Sequence, residues 1–280
     1  AVYFREEFTK YEEFEKKVEH ISVYARVAPE QKLKIVKALQ NKGQFVAMTG
    51  DGVNDAPALE AAAIGGALGS CTDVAKEASD LVLLNDSFSV ITKAIAEGRR
   101  LRDNIKKIFA YLLSTNFSEI FVITASLAVG MPLPILPTQI MWANLIEGGP
   151  MNVALAFEPL YPSAMKRSPK HPDIVQVLSP DLLKLICSVG IFTGLMLVAI
   201  HFFLVALGTP EAELRTIMFG AISASSIAGA LSLKSFGTRL WKLQFFSNPL
   251  LLISLAGSVL MLLVALFVPD MAARTLNVRA

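Results

Sequence analysis

Long apolar segments fill the second part of the chain, and they restrict it to folds that can sit in a lipid bilayer. Hydrophobic residues make up 53% of the 280 residues, and the mean hydropathy is +0.51. About 20 consecutive apolar residues are enough for a helix to cross the hydrocarbon core. Five segments meet this length, at approximately 108–130, 135–157, 182–207, 214–233 and 249–268. We therefore predict an all-α transmembrane helix bundle of about five spans, an odd number that leaves room for a further helix.

The charges of the connecting segments predict how this bundle is oriented. Segment 209–213 is acidic, whereas two other connections are basic, with Lys166, Arg167 and Lys170 in one and Lys234, Arg239 and Lys242 in the other. Basic connections tend to stay on the cytosolic side. We therefore expect an integral membrane protein in contact with lipid, with residues 1–100 in the cytosol. The compact loops favour a bacterial plasma membrane.

The first part of the chain has the pattern of a soluble α/β domain. Apolar runs at 44–48, 64–68 and 81–84 predict buried strands, with helical patterns before and between them. Strands that alternate with helices predict a parallel sheet. The net charge of +2 is too small to predict nucleic acid as a partner.

We expect two domains, a cytosolic one at 1–98 and a stalk with the membrane bundle at 99–280. One helical pattern, from about Ser89 to Val129, crosses this boundary without interruption and becomes the first span. The sequence opens in charged, helix-compatible residues without an initiating Met. We therefore expect it to be part of a longer protein.

The most informative motif is Met-Thr-Gly-Asp-Gly-Val-Asn-Asp-Ala-Pro-Ala-Leu at 48–59. Asp51 follows a predicted strand, and open α/β sheets bind ligands at the carboxyl ends of their strands. Gly50 and Gly52 let the backbone bend around that carboxylate. A carboxylate at such a position suits Mg²⁺ beside a phosphate group.

Three further polar residues extend this predicted phosphate site. Asn54 can donate an amide hydrogen bond to a phosphoryl oxygen, and Lys32 can neutralise phosphoryl charge. Asp55 can cap the following helix or hold the loop. The Gly-Asp-Gly tripeptide alone predicts no more than a turn.

The whole motif resembles the hinge motif of P-type cation-transporting ATPases of the calcium and sodium–potassium pump branch. Segment 23–27 with Pro29 and Lys32 resembles the part of the family that carries a phosphate-contacting lysine. Segments 73–80 and 88–91 resemble landmarks further along. The resemblance covers residues 22 to 165 and weakens towards the end of the sequence.

The resemblance implies a haloacid-dehalogenase-like (Rossmann-like) fold, with 1–98 as the C-terminal part of a phosphorylation domain. It implies ATP-driven cation transport through an aspartyl phosphate, with Mg²⁺ as cofactor and ATP as substrate. By the same resemblance, Asp51 is a Mg²⁺ ligand, and Asn54 and Lys32 contact the phosphoryl group. Asp55 is an essential second carboxylate. Thr49, Gly50 and Gly52 contact the cofactor.

The phosphorylated aspartate of the family, in an Asp-Lys-Thr-Gly-Thr string, does not occur in these 280 residues. We therefore expect the rest of the same polypeptide to supply it, together with the nucleotide-binding domain, the actuator domain and the first transmembrane helices. On its own the chain is expected to be inactive.

Two predicted spans carry the same polar pattern, Asn116 with Glu119 and Asn144 with Glu147. A spacing of three residues puts each pair on one helical face. Ionisable residues within a membrane are costly and indicate function, and amide and carboxylate oxygens suit a hard cation. The alternative is a polar contact between helices through a protonated glutamate.

The second of these spans is expected to be broken. Pro134 and Pro137 precede it, and Gly148-Gly149-Pro150 follows Glu147. Interrupted helices free backbone carbonyls as further ligands. A serine-rich face at 223–226 in a later span is interpreted as helix packing.

In the family resembled, Asn116, Glu119 and Asn144 match ion-ligand positions. Glu147 falls where calcium pumps have Thr, and Gly148 where they have an Asp. The resemblance therefore leaves Ca²⁺, Na⁺, K⁺ and H⁺ open, with Ca²⁺ slightly favoured. Two other functions are weighed: a membrane-anchored dehalogenase-type phosphatase without transport, and a non-catalytic partner of other pump subunits.

Overall fold

The computed structural model describes residues 2–4, 11–84, 87–161, 164–167, 177–234 and 245–267. Contacts within the chain divide it into two compact units, Ala1–Ala94 and Ile95–Ala280. Three of the basic residues used to predict orientation lie outside the described residues, namely Lys170, Arg239 and Lys242.

The first unit contains two parallel sheets. Strands β1 (Val2–Phe4) and β2 (Val23–Ala25) form one pair. The other sheet runs in the order β3 (Ala47–Gly50), β4 (Ile64–Leu68) and β5 (Leu81–Leu83), and all its strands are parallel. The helices are α1 (Tyr11–Lys17), α2 (Pro29–Asn41), α3 (Ala56–Ala61) and α4 (Asp73–Glu77). The predicted α/β class with a parallel sheet is therefore confirmed.

Local sequence explains how α2 begins and what it packs against. Pro29 has the φ angle of a first helical turn and needs no amide partner there. The Gln31 side chain accepts a hydrogen bond of 2.7 Å from the backbone N–H of Ala28, one residue before the helix. Further along, Ala38 is fully buried and packs with Phe14 and Val18. These contacts fix the helix that carries Lys32.

A second small core lies beneath β3 and β4. It consists of Leu59 from α3, Ala67 from β4, and Cys71 and Ala75 around α4. These apolar contacts hold α3 against the sheet, because burial of apolar surface is the main favourable contribution to packing. The loop between β3 and α3 is therefore anchored at both ends.

The second unit is helical. Helix α5 (Phe88–Ala128) has 41 residues and is about 60 Å long at 1.5 Å per residue. It confirms the predicted uninterrupted helix from about Ser89 to Val129, and it contains the division between the two units. The other long helices are α8 (Pro180–Ala206), α9 (Glu211–Leu233) and α10 (Pro249–Phe267). In the described part of the chain these four helices are long and apolar enough to cross a membrane.

The predicted span at 135–157 forms three consecutive helical segments. They are α6 (Pro137–Trp142), a π-helical segment (Ala143–Gly148) and α7 (Gly149–Ala156). The expected break is thus a widened turn, and the chain continues as a helix through Gly149 and Pro150. Pro150 has no N–H to donate, so a carbonyl of the preceding turn loses its amide partner. That loss gives a physical reason for the widening, which recurs at functional sites in proteins.

Close helix contacts and a buried polar network hold the membrane unit together. Gly190 and Gly194 of α8 lie directly under the rings of Phe117 and Phe121 of α5. In the network, Glu158 accepts a hydrogen bond of 2.9 Å from Asn248 and lies 3.9 Å from Lys234. Because its members come from the end of α9, the start of α10 and the segment after α7, the network ties these three parts together.

Candidate functional site

The loop after β3 is organised by the buried carboxylate of Asp55. Lys32 Nζ forms an ion pair and a hydrogen bond with Asp55 Oδ1. The backbone N–H of Asp51 donates to Asp55 Oδ2 at 3.4 Å. Asp55 occupies the N-cap position of α3, but its side chain makes no capping hydrogen bond. Of the two roles considered for Asp55, the geometry therefore matches holding the loop.

Gly50 leaves room for this arrangement. A Cβ atom at Gly50 would lie 2.5 Å from Cβ of Asp55, whereas one at Gly52 would have no heavy atom within 4 Å. Gly52 has extended backbone angles, φ −139° and ψ 167°. Gly50 is therefore needed for close approach of the Asp55 side chain, which is a more specific reason than the general bend expected from the sequence.

The Asp51 side chain is exposed at the carboxyl end of β3. Within the described residues it makes no hydrogen bond and no ion pair. Proteins bind Mg²⁺ through one or two carboxylates together with phosphate oxygens and water. An exposed, unpaired carboxylate in a loop that Lys32 contacts through Asp55 fits this pattern, so the residues present are compatible with Mg²⁺ bound together with a phosphate group.

Thr49 and Asn54 are also exposed beside Asp51. The structure therefore gathers Lys32, Thr49, Asp51, Asn54 and Asp55 around one loop. Across the described ranges, no group of three or more His, Cys, Asp or Glu side chains is close enough to hold a metal without other ligands.

In the membrane unit, Glu119 is buried on α5 and contacts the π-helical segment. Asn144 Nδ2 donates to Glu119 Oε2 at 3.5 Å. This contact brings together one polar residue from each of the two predicted patterns. The side chain of Glu147 lies outside the described part of the chain, so its position in the predicted cation site stays a prediction.

A cavity of about 260 Å³ is lined by Asn144 but not by Glu119. Its polar lining consists of Tyr111, Thr115, Asn116, Asn144, Asn152 and Ser226. Asn116 and Asn144 were predicted from the sequence, whereas Tyr111, Thr115 and Asn152 were not. Ser226 was interpreted as packing, but it borders the cavity, while Ser225 donates to the carbonyl of Ile222 in its own helix.

Asn152 is the most informative of the residues that the sequence analysis missed. Its Nδ2 donates to the carbonyl of Gly148 at 2.9 Å, and its Oδ1 is buried with no hydrogen-bond partner among the described residues. A buried amide oxygen without a partner is costly in an apolar environment. The spacing of four residues between Asn144, Gly148 and Asn152 was the available signal, because it places them along one helical face.

Two families of known proteins match separate parts of the chain. Residues 4–63 match the family described as haloacid dehalogenase-like hydrolase. Residues 132–278 match the family described as cation transporting ATPase, C-terminus. Together with the four long apolar helices, these matches define an integral membrane protein with a haloacid-dehalogenase-like unit.

Individual relatives define this class of protein more closely. The chain is 40% identical over 263 residues to "Calcium-transporting ATPase" of Bacillus subtilis, covering 93% of the chain and 29% of that protein. It is 38% identical over 265 residues to "Probable cation-transporting ATPase F" of Mycobacterium tuberculosis, covering 93% of the chain and 29% of that protein. It is 36% identical over 256 residues to "Calcium-transporting ATPase type 2C member 2" of Mus musculus, covering 91% of the chain and 27% of that protein.

The chain belongs to the P-type cation-transporting ATPase family. It spans less than a third of the length of these relatives.

Proposed function

We propose that this chain is part of a pump that transports a cation across a membrane at the expense of ATP, through an aspartyl phosphate. The observation that carries the proposal is Glu119, a carboxylate buried in a membrane-spanning helix and hydrogen-bonded to Asn144 of an interrupted helix. A carboxylate in that environment is costly unless a cation or a proton compensates its charge. A phosphatase that is only anchored to a membrane has no use for it.

At the phosphate end, Asp51 would bind Mg²⁺, which supplies positive charge beside the phosphoryl oxygens. Asn54 would donate a hydrogen bond to the phosphoryl group, with Thr49, Gly50 and Gly52 forming the loop around it. Lys32 would offset phosphoryl charge, since fixed positive charge near a transferring phosphoryl group stabilises the transition state. The ion pair with Asp55 supports this role, because it holds the ammonium next to the loop.

At the membrane end, Glu119 would supply the charged ligand, and Asn116 and Asn144 would supply amide oxygens. Glu147 is proposed as a second carboxylate. Ca²⁺ is the first cation to test, because two of the three relatives named above are called calcium-transporting. Na⁺, K⁺ and H⁺ are the alternatives, since Gly148 lacks a carboxylate where calcium pumps have one.

The remainder of the polypeptide would contribute the phosphorylated aspartate, the nucleotide-binding domain, the actuator domain and the first transmembrane helices. The first unit and the basic connections would face the cytosol. A bacterial plasma membrane is the proposed location.

The test is cation-stimulated ATP hydrolysis by the purified full-length protein, measured against Ca²⁺, Na⁺, K⁺ and pH. The Glu119→Gln variant should raise the half-activating cation concentration about tenfold or more, because an interaction with a charged group is worth about 1.5–3 kcal/mol. Glu213→Gln, at an exposed position near the start of α9, is the matched control and should leave that concentration unchanged.

Two outcomes would contradict the proposal. Equal cation activation of wild type and Glu119→Gln would remove Glu119 from the cation site. Phosphate ester hydrolysis that no cation stimulates, with no dependence on ATP, would instead identify a membrane-anchored phosphatase.

A further inference from the structure

A second cavity, of about 340 Å³, is lined by none of the residues of the two sites described above. It is bordered by the basic part of α5, by the segment after α7 and by the start of α8. Its polar lining includes Asp103, Lys106, Lys107, Tyr161, Arg167 and Ser179. The proposed pump mechanism does not use this cavity.

Two carboxylates, Asp103 and Asp181, also belong to the lining of this cavity. Asp103 receives two hydrogen bonds from Arg167, of 2.9 and 2.7 Å, and is engaged by that guanidinium. Asp181 has a side chain that is 91% exposed and lies 3.5 Å from Lys184, so it is directed towards solvent. Among the described residues, neither carboxylate is hydrogen-bonded to the ammonium of Lys107.

Lys107 is the residue that indicates a ligand. It is 1% exposed, and its Nζ has no hydrogen-bond partner within the described part of the chain. The ammonium lies 4.8 Å from the centre of the Tyr161 ring, and it is attracted by Glu158 and Asp103 and repelled by Lys234. A cation–π contact compensates only part of the cost of burying a charge. An anion in the cavity would compensate more of it.

The start of α8 adds partial positive charge at this cavity. Its 27 residues begin at Pro180, and Ser179 caps it by accepting a hydrogen bond of 3.3 Å from the N–H of Leu182. The N-terminus of a helix carries partial positive charge and favours anions. Leu182 and Leu185 give the same cavity an apolar wall. A polar, basic interior next to an apolar wall suits a phosphate that carries hydrocarbon chains.

We propose that the cavity between α5 and the start of α8 binds a phosphate anion through Lys106 and Lys107. The sources of such an anion at a membrane surface are the headgroup of an anionic phospholipid and free phosphate. The predicted cytosolic side of this cavity, and its place between transmembrane helices, agree with the positions at which basic pockets bind lipid headgroups.

The experiment uses the full-length protein in phosphatidylcholine nanodiscs and isothermal titration calorimetry. One arm titrates short-chain phosphatidic acid, and the other titrates inorganic phosphate. Lys106→Gln and Lys107→Met should each weaken binding at the cavity about fivefold, since each lysine near anionic lipid is worth about 1 kcal/mol. Lys166→Gln removes the same charge from an exposed position outside the cavity and should have no effect.

Comparison of the variants distinguishes binding at the cavity from binding at the phosphate site of the first unit, because none of these substitutions lies in that site. Phosphatidic acid binding that is lysine-dependent and insensitive to inorganic phosphate identifies a lipid headgroup site; competition by inorganic phosphate identifies a site for the free anion. Binding that neither Lys106→Gln nor Lys107→Met weakens, or that Lys166→Gln weakens equally, would overturn the proposal. If Lys107→Met does not fold, Lys106→Gln still decides the question.

Discussion

At the scale of single residues, three contacts converge on Asp55. One carboxylate oxygen holds Lys32, the other accepts the Asp51 N–H, and the Cβ atom fills the space above Gly50. The ion pair itself contributes little energy, because the Lys32 side chain is 34% exposed. Its importance is geometric, since it fixes an ammonium group beside the loop that carries Asp51.

Gly50→Ala tests this geometry. The new Cβ would overlap Asp55, and a substitution that overfills a packed site costs about 1–3 kcal/mol. We therefore expect faster hydrogen exchange of the backbone amides at 50–56 in the full-length protein, together with weaker Mg²⁺-dependent phosphate binding. Hydrogen exchange followed by mass spectrometry gives the first measurement directly.

Gly52→Ala is the control for this prediction, because an added Cβ there meets no heavy atom within 4 Å and the backbone is extended. Exchange at 50–56 should stay the same or become slower. If Gly50→Ala and Gly52→Ala change exchange equally, close packing of Gly50 against Asp55 does not shape the loop.

Part of this residue-scale arrangement could be predicted from the sequence. The strand, the exposed Asp51 and the nearby Lys32 follow from a strand–loop–helix pattern and from the motif. The contact between Gly50 and Asp55 could not be predicted, because it depends on how the loop folds the Asp55 side chain back over a residue five positions earlier. Asn152 was missed because it lies outside the two Asn/Glu patterns, and its contact with the Gly148 carbonyl depends on the helix continuing through Gly149 and Pro150.

At the scale of elements, the contact between α5 and α8 is set by two glycines. Gly190 and Gly194 are four residues apart, so both face α5, where Phe117 and Phe121 stack with ring centres 6.4 Å apart. Small residues at this spacing let membrane helices approach closely. Glu119 lies between the two phenylalanines in the sequence, so this contact also influences the turn of α5 that carries the carboxylate.

Gly194→Ala should weaken this helix contact. An added Cβ would lie 2.7 Å from a ring carbon of Phe121, and the ring cannot move away without disturbing α5. We expect a loss of about 1–3 kcal/mol in stability and a lower apparent Tm of the full-length protein in detergent. The Glu119-dependent cation activation should weaken as well.

Gly257→Ala in α10 is the matched control, since no heavy atom lies within 4 Å of a Cβ at that position. Its Tm should stay the same or rise, because alanine favours a helix by about 1 kcal/mol over glycine. A Tm that falls equally in both variants would show that loss of glycine, and not the contact with α5, is responsible.

The interrupted helix from α6 to α7 could be predicted only in part from its sequence. Pro150 and the two preceding glycines predict an interruption, and the chain is indeed irregular there. Whether such a sequence breaks the helix or widens one turn depends on the surrounding helices, which can hold the two halves in line. A local sequence pattern therefore cannot distinguish a broken helix from a widened turn.

At the scale of the whole molecule, α5 is the one described helix that contains the division between the two units. Helix α5 is continuous over 41 residues, so one hydrogen-bonded element runs from the division into the span that carries Glu119. This continuity was predictable, because no proline or capping pattern interrupts 89–128. We propose that it couples phosphate chemistry in the first unit to the cation site.

Gly98 provides a test of this coupling at a single position. An alanine there meets no heavy atom within 4 Å and strengthens the helix by about 1 kcal/mol, whereas a proline costs about 3 kcal/mol or more. In the full-length protein Gly98→Ala should retain cation-stimulated ATP hydrolysis. Gly98→Pro should lose most of the stimulation while still binding the cation, which equilibrium binding measures separately. Stimulation that survives Gly98→Pro unchanged would mean that the two units communicate by a route other than α5.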